Sequence, residues 1–415
     1  MTECEAEHVT APFRSFSRSL TVERLLHPIT GDDFFSEYWE NRPLLINRND
    51  ARHFHGLPGV DEVDELITAT TSGRVRSSDD QFLVRSEGDG HASRRDVPLN
   101  DHGIPDIQDV YRAYHDGYSI VVNRIHRRSA AVADLCRSLE AAFHHRVGVN
   151  LYFTPRSGQG FAPHTDDHDV FILQLHGMKE WHVGTPENDL PLPAMKESSP
   201  PLADFEKFIL HAGDTLYLPR GFPHEAVTGA SSSLHLTVGI HVYRWADLLS
   251  EALTLLAAED VDLRAALPPG FLDGPLPASH AADLADRLAK VLADATFTER
   301  AKTSLGTSLL ATPKAAAHSQ FRSLDALAAL TETAVVSRSP GMLCRVRFTA
   351  HDATLEFAGN YVSGPAFLVP AFTHIAEHER FAIRDLPGDL SGDDRLDLVG
   401  RLISEGLLQH ESEKP

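Results

Sequence analysis

Along residues 233–241 apolar and polar side chains alternate, with Leu234, Leu236, Val238 and Ile240 on one side and Ser233, His235, Thr237 and His241 on the other. A period of two predicts a strand, one face against a core and the other against something polar. The run Tyr118-Ser119-Ile120-Val121-Val122-Asn123 predicts a second strand and Leu44-Leu45-Ile46 a third. Val132, Leu135, Cys136, Leu139 and Phe143 recur at helical spacing, so 129–145 predicts a helix whose stripe suits packing rather than chemistry. Residues 20–46 predict helix followed by strand, with Thr21 as one N-cap and Asp32-Asp33 as another. Two stretches lack periodicity. Residues 77–103, rich in Ser, Asp, Gly and Arg, read as long loops at the mouth of the fold, and 186–206, rich in Pro and charge, as a surface loop.

After Trp245 the pattern turns helical over 246–258, breaks at Pro268-Pro269-Gly270, and resumes with Ser279 as an N-cap ahead of Leu284, Leu288, Val291 and Leu292. That stripe suits packing within one chain or against a second copy. From about Val335 the order becomes short strands at 344–348 and 354–357, a helix near 369–377, Phe381-Ala382-Ile383, and a last helix at 393–405 before Gly406. The order is similar to a winged helix, which raises DNA binding. From Gly341 onward, however, seven Lys or Arg face twelve Asp or Glu, so a basic recognition helix is lacking and no direct DNA binding is expected.

A length of 415 residues predicts two or three substructures. The three cysteines, Cys4, Cys136 and Cys344, are too few and too scattered for a disulfide framework or a zinc knuckle. The first residues are acidic and polar, unlike a secretory leader, and no apolar run approaches the roughly 18 residues of a membrane span. A soluble cytoplasmic protein is expected. The formal charge of −21 disfavours non-specific nucleic-acid binding and favours basic partners, although the same charge also serves solubility.

Chemistry concentrates in residues 150–182, NLYFTPRSGQGFAPHTDDHDVFILQLHGMKEWH. If the segment around His164 and Asp166 is a strand, positions i and i+2 share a face and both reach one metal ion. A bare His-x-Asp is a weak signal in a chain with 24 His and 59 acidic residues. Its context strengthens it: Gly213-Asp214 turns into Thr215-Leu216-Tyr217-Leu218, which leads through Pro219-Arg220-Gly221-Phe222-Pro223 to His224, a suitable third ligand. Two imidazoles and a carboxylate on one side of iron leave other positions open for a cosubstrate and O2. Lys179 sits close to the apolar run 170–175, where a lysine needs an anionic partner such as a keto acid's distal carboxylate. His168, His176, His182 and His211 read as surface or hydrogen-bonded residues, Trp181 as core, and Arg220 as a surface residue in preference to an anion contact. On a regular strand Asp167 points away from the site and Asp169 lies beyond it, leaving both to supporting contacts or solvent.

Asn150, the Gly-Phe-Ala-Pro-His-Thr-Asp-Asp run at 160–167, Leu173-Gln174-Leu175, Gly177 with Lys179 and Trp181, and the Gly-Asp-x-Leu-Tyr-Leu-Pro run at 213–219 ending at His224 resemble the JmjC-type ribosomal oxygenases. The run from Phe34 to Ile46 is similar to that family's N-terminal motif, and the last hundred residues to its C-terminal winged-helix-like domain. The resemblance implies a mixed α and β protein. Residues 1–245 would form a cupin or jelly-roll double-stranded β-helix core with N-terminal additions, 246–330 a helical dimerisation region, and 331–415 a winged-helix-like domain. It further implies a dioxygenase using Fe(II), 2-oxoglutarate and O2. His164, Asp166 and His224 would hold the metal, Lys179 would pair with the far carboxylate of 2-oxoglutarate, and Asn150 would lie near the cosubstrate. If the polar face of 233–241 is the inner one, Thr237, ahead of Ser233, would bond the same carboxylate.

The implied substrate is a side chain of a basic ribosomal protein. Histidyl β-carbon hydroxylation is favoured because Asn150 with Lys179 matches the histidyl branch of the family. A tailoring hydroxylase for His in a ribosomally made natural-product peptide is the allied alternative, and lysyl demethylation a third outcome of the same chemistry. From other classes, a Zn or Mn cupin would use the triad without Lys179, and a non-catalytic binding protein would need neither.

Overall fold

The computed structural model describes residues 8–9, 21–68, 80–87, 91–100, 104–195, 202–275, 278–311, 320–338 and 341–411. Contacts divide the chain into two compact units, Ser15–Val242 and a second made of Met1–Arg14 with Tyr243–Pro415.

The first unit is built on one nine-stranded antiparallel sheet. Its strands are β1 (Leu44–Ile46), β2 (Gln81–Ser86), β3 (Ala92–Asp96), β4 (Ser119–Val122), β5 (Arg146–Thr154), β6 (Asp169–Val183), β7 (Glu206–His211), β8 (Thr215–Leu218) and β9 (His224–His241). They lie in the order β1-β8-β6-β9-β5-β4-β2-β3, with β7 also paired to β6. The predicted alternation in β9 holds. Leu234, Leu236, Val238 and Ile240 join Val147, Val149 and Leu151 of β5 in a core with Val132, Leu135, Cys136, Leu139 and Phe143. Those five lie on the helix Ala130–Phe143, capped by the Ser129 hydroxyl. Phe34, fully buried, stacks its edge on Tyr217 with ring centroids 4.9 Å apart and lies 5.5 Å from Phe171, tying the N-terminal helix Gly31–Glu37 to β6 and β8. The opposite face of β9 carries Ser233, His235 and Thr237, of which His235 and Thr237 look onto the site.

Four local expectations are corrected. His164 and Asp166 do not lie on a strand: β6 begins at Asp169, and the preceding loop is pinned where His164 bridges His224. Pro163 has no N–H to give a ladder, so only that short pairing forms. Gly177, which the sequence suggests as a turn after the apolar run 170–175, does not end a strand: it lies inside β6, paired with Ser233 at a left-handed φ of +68°, beside a bulge where the register with β9 shifts. The stretch 77–103, expected as loops, contains the β2–β3 hairpin in its described part. Phe82, Leu83 and Val84 bury themselves against β4, a short apolar run outweighed in the sequence by its polar flanks. The second N-cap is Thr30, whose hydroxyl accepts from the Asp33 N–H, while Asp32 and Asp33 occupy the first helical turn. Residues 77–79, 88–90, 101–103 and 196–201 of the two expected loops lie outside the described residues.

The second unit contains the helices Trp245–Glu259, Val261–Arg264, Ala278–Ala293, Ala295–Leu310 and Gln320–Asp325, followed by small sheets. Ser279 falls inside Ala278–Ala293 instead of capping it. The strands Cys344–Phe348, Asp352–Phe357 and Asn360–Pro365 form a sheet with His8–Val9, and Val335–Arg338 pairs with both Arg380–Ala382 and Leu408–His410. Their apolar faces close over Val369–Glu377 and Gly392–Ser404. The fully buried Arg345 is held by Glu356, by the Thr303 carbonyl and by the Thr307 hydroxyl. No described helix is long and apolar enough to cross a membrane.

Candidate functional site

His164 and His224 are brought together by reciprocal backbone hydrogen bonds: the His164 N–H donates to the His224 carbonyl at 3.1 Å and the His224 N–H to the His164 carbonyl at 2.8 Å. The Gly221 N–H donates to the Asp166 carbonyl at 2.9 Å, which pins the third residue to the same junction. One donor atom each of His164, Asp166 and His224 lies within 4.8 Å of the others. Both imidazoles are oriented alike. His164 Nδ1 lies 3.0 Å from the Ala162 carbonyl and His224 Nδ1 2.9 Å from the Phe222 carbonyl. A carbonyl only accepts, so the proton of each neutral ring sits on Nδ1 and the Nε2 lone pair is left for a metal. Burial, and then the neighbouring His164, push the His224 imidazole down to about 4, so it is a neutral ligand at physiological pH. This donor set fits a divalent transition metal with open coordination positions.

Asp169 and Arg220 support the junction from below. Arg220 is buried and ion-paired to Asp169 at 2.8 Å and to Glu40; Asp169, fully buried, also accepts from the Tyr217 hydroxyl at 3.0 Å. Burial lifts the Asp169 carboxyl above its ordinary range even beside these donors. The expected surface position of Arg220 is therefore corrected: its charge is matched by Glu40, 180 residues away in sequence, a pairing no local pattern reveals. Asp169 takes the supporting role expected for it, and Asp167 bonds His168 at 3.0 Å.

A cavity of about 330 Å³ opens over the triad, lined among others by Asn150, Tyr152, Thr154, Lys179, Trp181, His235 and Thr237. Lys179 is 5 % exposed, and burial pushes its ammonium down to about 7. Its Nζ donates to Thr154 Oγ1 at 3.1 Å, and among the described residues no carboxylate pairs with it. Thr154, unmarked in the sequence reading, also accepts from Ser119 Oγ at 3.1 Å; with two donors on its oxygen, its own O–H remains to be given. Asn150 Oδ1 accepts from the Arg124 N–H at 3.0 Å, and its side chain bonds Tyr152. Thr237 faces the cavity in register with Asn150, whereas Ser233 is taken up by Gln174 at 2.8 Å. His182 lies between Glu180 and Glu225, and His168 stacks on His241.

Residues 122–248 match the JmjC domain family. Over 262 residues the chain is 32 % identical to ribosomal oxygenase 1 of Danio rerio, covering 60 % of this chain and 46 % of that protein. Over 256 residues it is 32 % identical to the bifunctional lysine-specific demethylase and histidyl-hydroxylase NO66 of Aedes aegypti, covering 59 % of this chain and 39 % of the relative. The chain thus spans less than half the length of either relative. Among solved structures, E. coli ycfD aligns over 97 % of this chain and 100 % of its own, with a TM-score of 0.58 and 19 % identity. The E. coli ribosomal oxygenase YcfD in complex with cobalt and 2-oxoglutarate aligns over 93 % and 99 %, with a TM-score of 0.55 and 19 % identity. The structural likeness shows a shared fold of a large antiparallel sheet with helical and small-sheet additions, and residues 122–248, which hold the His-x-Asp…His triad, form a JmjC domain.

Proposed function

We propose that this protein is an Fe(II)- and 2-oxoglutarate-dependent oxygenase that hydroxylates a protein side chain, a histidyl residue of a ribosomal protein being the substrate most in keeping with its relatives. One observation carries the reading: a triad with free Nε2 donors and a buried, carboxylate-free lysine line the same cavity. The triad alone would serve any metal cupin. Lys179 is what a non-oxygenase site does not need, because a buried cation without an anion is costly, and the far carboxylate of a dicarboxylic 2-oxo acid supplies that anion.

His164, Asp166 and His224 would hold the metal, each already oriented by its own loop. When bound, ferrous iron with the 2-oxo acid supplies the oxidising power to place one oxygen atom of O2 on a C–H carbon while the 2-oxo acid becomes succinate and CO2. Lys179 and Thr154 would take the far carboxylate, and Trp181, whose ring lies 5.7 Å from Lys179 Nζ and 5.9 Å from the His224 ring, walls the path between carboxylate and metal. Phe82 and Phe161, with centroids 6.2 Å apart, form an apolar wall that excludes water. The long β6 and β9, bent at their register shifts, support a double-stranded β-helix reading of the sheet. The winged-helix likeness of the C-terminal part rests on its order of elements. Trp245, Leu249 and Leu253, exposed along one side of Trp245–Glu259, support a homodimer formed through the helical region.

Anaerobic visible absorption tests the reading. Adding Fe(II) and then 2-oxoglutarate should raise a metal-to-ligand charge-transfer band that His164→Ala abolishes. Absence of the band in the wild type would abandon the mechanism in favour of a Zn or Mn cupin. The relatives named for both demethylation and histidyl hydroxylation set a second outcome: formaldehyde release from a methyl-lysine peptide, in place of a peptide heavier by one oxygen atom, would assign the former.

A further inference from the structure

Glu40 holds a backbone conformation that its side chain disfavours. It follows the helix Gly31–Glu37 and has a φ of +55°, in the left-handed region where a Cβ crowds the next carbonyl and glycine is the ordinary choice. Strain of this kind persists only where surrounding contacts over-determine it, and it clusters at functional sites. Two contacts fix Glu40. Its N–H donates to the Tyr217 hydroxyl at 2.9 Å, and its carboxylate receives the Arg220 guanidinium. A glycine would keep the first contact without strain, so the second is what requires a side chain here.

Those contacts close into a circuit. The Tyr217 hydroxyl donates to Asp169 at 3.0 Å; Asp169 accepts from Arg220 Nη1 at 2.8 Å and from the Arg220 N–H at 3.3 Å; Arg220 returns to Glu40. Asp169 opens β6, Tyr217 lies on β8 and Arg220 starts the turn that follows β8. Glu40 is thus the member through which the N-terminal segment enters. The turn anchored by Arg220 carries a support for each of two metal-ligating candidates. The Gly221 N–H donates to the Asp166 carbonyl at 2.9 Å, and the Phe222 carbonyl lies 2.9 Å from His224 Nδ1. Gly221 itself has a φ of +88°, and a Cβ there would meet the Asn188 carbonyl at 2.9 Å, so the turn has little room on that side. Its remaining freedom is set by how firmly Arg220 is held.

We propose that Glu40 is a positioning residue for the metal site: by gripping Arg220 it fixes the turn Arg220-Gly221-Phe222, and through that turn the placement of Asp166 and His224. The assignment rests on the metal-binding reading of the triad above. It does not depend on which reaction the metal serves.

The test is Co(II) binding to the full-length metal-free protein, with affinity read by calorimetry and the ligand field by visible absorption. Glu40→Gly suits the backbone and keeps the N–H for Tyr217. It should weaken Co(II) about tenfold, the lower end of the loss expected when an outer support of metal ligands is removed, and should alter the cobalt bands. Glu40→Gln keeps an oxygen that accepts from Arg220 and should retain most of the affinity. Leu25→Ala opens a cavity in the N-terminal helix Val22–Leu26 without changing a member of the circuit, so it should lower the melting temperature and leave Co(II) affinity and bands as they are. Unchanged affinity in Glu40→Gly would overturn the assignment. Equal losses in Glu40→Gly and Glu40→Gln would do so too, by showing that charge and not position matters, as would a loss in Leu25→Ala equal to that in Glu40→Gly. Failure of the metal reading itself looks different, because the wild-type protein would then bind no Co(II). If Glu40→Gly does not fold, Glu40→Asp decides in its place. Aspartate tolerates the left-handed region and keeps the charge one methylene short of Arg220: weakened Co(II) supports positioning, and wild-type affinity opposes it.

Discussion

Replacing Asp169 by Asn leaves the shape of the side chain and removes one charge from the buried pair beneath the metal-binding junction. Asp169 is fully buried and Arg220 is 5 % exposed, so the guanidinium cannot recover solvent when its partner is neutralised. Stranding a buried charge in this way costs about 3–5 kcal/mol. Arg220 keeps Glu40 as a second carboxylate, and the Tyr217 hydroxyl can still donate to the amide oxygen, so the expected loss is at the lower end, about 3 kcal/mol. For a domain of the size of Ser15–Val242 that is a fall of roughly 6–12 °C in the melting temperature. The assay is thermal unfolding of metal-free protein, which separates the pair from any ligand. Arg220→Met added to Asp169→Asn should restore part of the loss, because it removes the stranded guanidinium and leaves only Glu40, a carboxylate with access to solvent, without its partner. A single-variant fall of less than about 2 °C, or a double variant worse than the sum of the singles, would refute the argument that burial makes this pair costly to break.

Lys179→Met should raise the metal-free protein's stability at pH 6. The folded-state pKa of about 7 lies below the ordinary 10.5, so the folded protein bears the full penalty of the buried cation below pH 7. That penalty declines between pH 7 and 10.5 as the lysine deprotonates more readily in the folded state; the gain in melting temperature should therefore shrink across that window, and a gain independent of pH would contradict the assignment. Gly177→Ala places a Cβ 1.9 Å from the Ser232 carbonyl oxygen at a φ of +68°, so it should lose about 2–4 kcal/mol in urea unfolding; a loss below about 1 kcal/mol would mean that the bulge is not formed as described. Leu253→Glu, on the exposed stripe of Trp245–Glu259, should shift sedimentation from dimer to monomer, and a wild-type protein that sediments as a monomer would remove the dimer reading.

Much of the fold was legible because its elements are locally consistent. The alternation in 233–241 separated the two faces of β9, leaving open which of them looks inward, and the stripe ending at Phe143 placed the packing helix with Ser129 just ahead of it. The three metal-ligating candidates converge even though the strand that was to carry two of them is a loop, because a bridge between His164 and His224 does the work assigned to a ladder. What could not be read was set by partners distant in sequence. Arg220 looked like surface until Glu40 and Asp169 closed on it. Thr154 becomes a donor only because Ser119 and Lys179 both reach its oxygen. The β2–β3 hairpin was hidden by polar residues on its exposed side, where Ala92–Asp96 alternates at the edge of the sheet.

The sheet order bears on how this protein can be divided. The span that matches the JmjC domain family starts at residue 122, whereas β8 pairs with Leu44–Ile46 and β5 with Ser119–Val122. A fragment cut to the matched span would therefore bare the backbone of two strands, Arg146–Thr154 and Thr215–Leu218, and would strip Phe34 from Phe171 and Tyr217. Unpaired strand edges are templates for adding another chain. Such a fragment would aggregate instead of binding metal, so the smallest piece able to show this chemistry must reach back through the N-terminal helices.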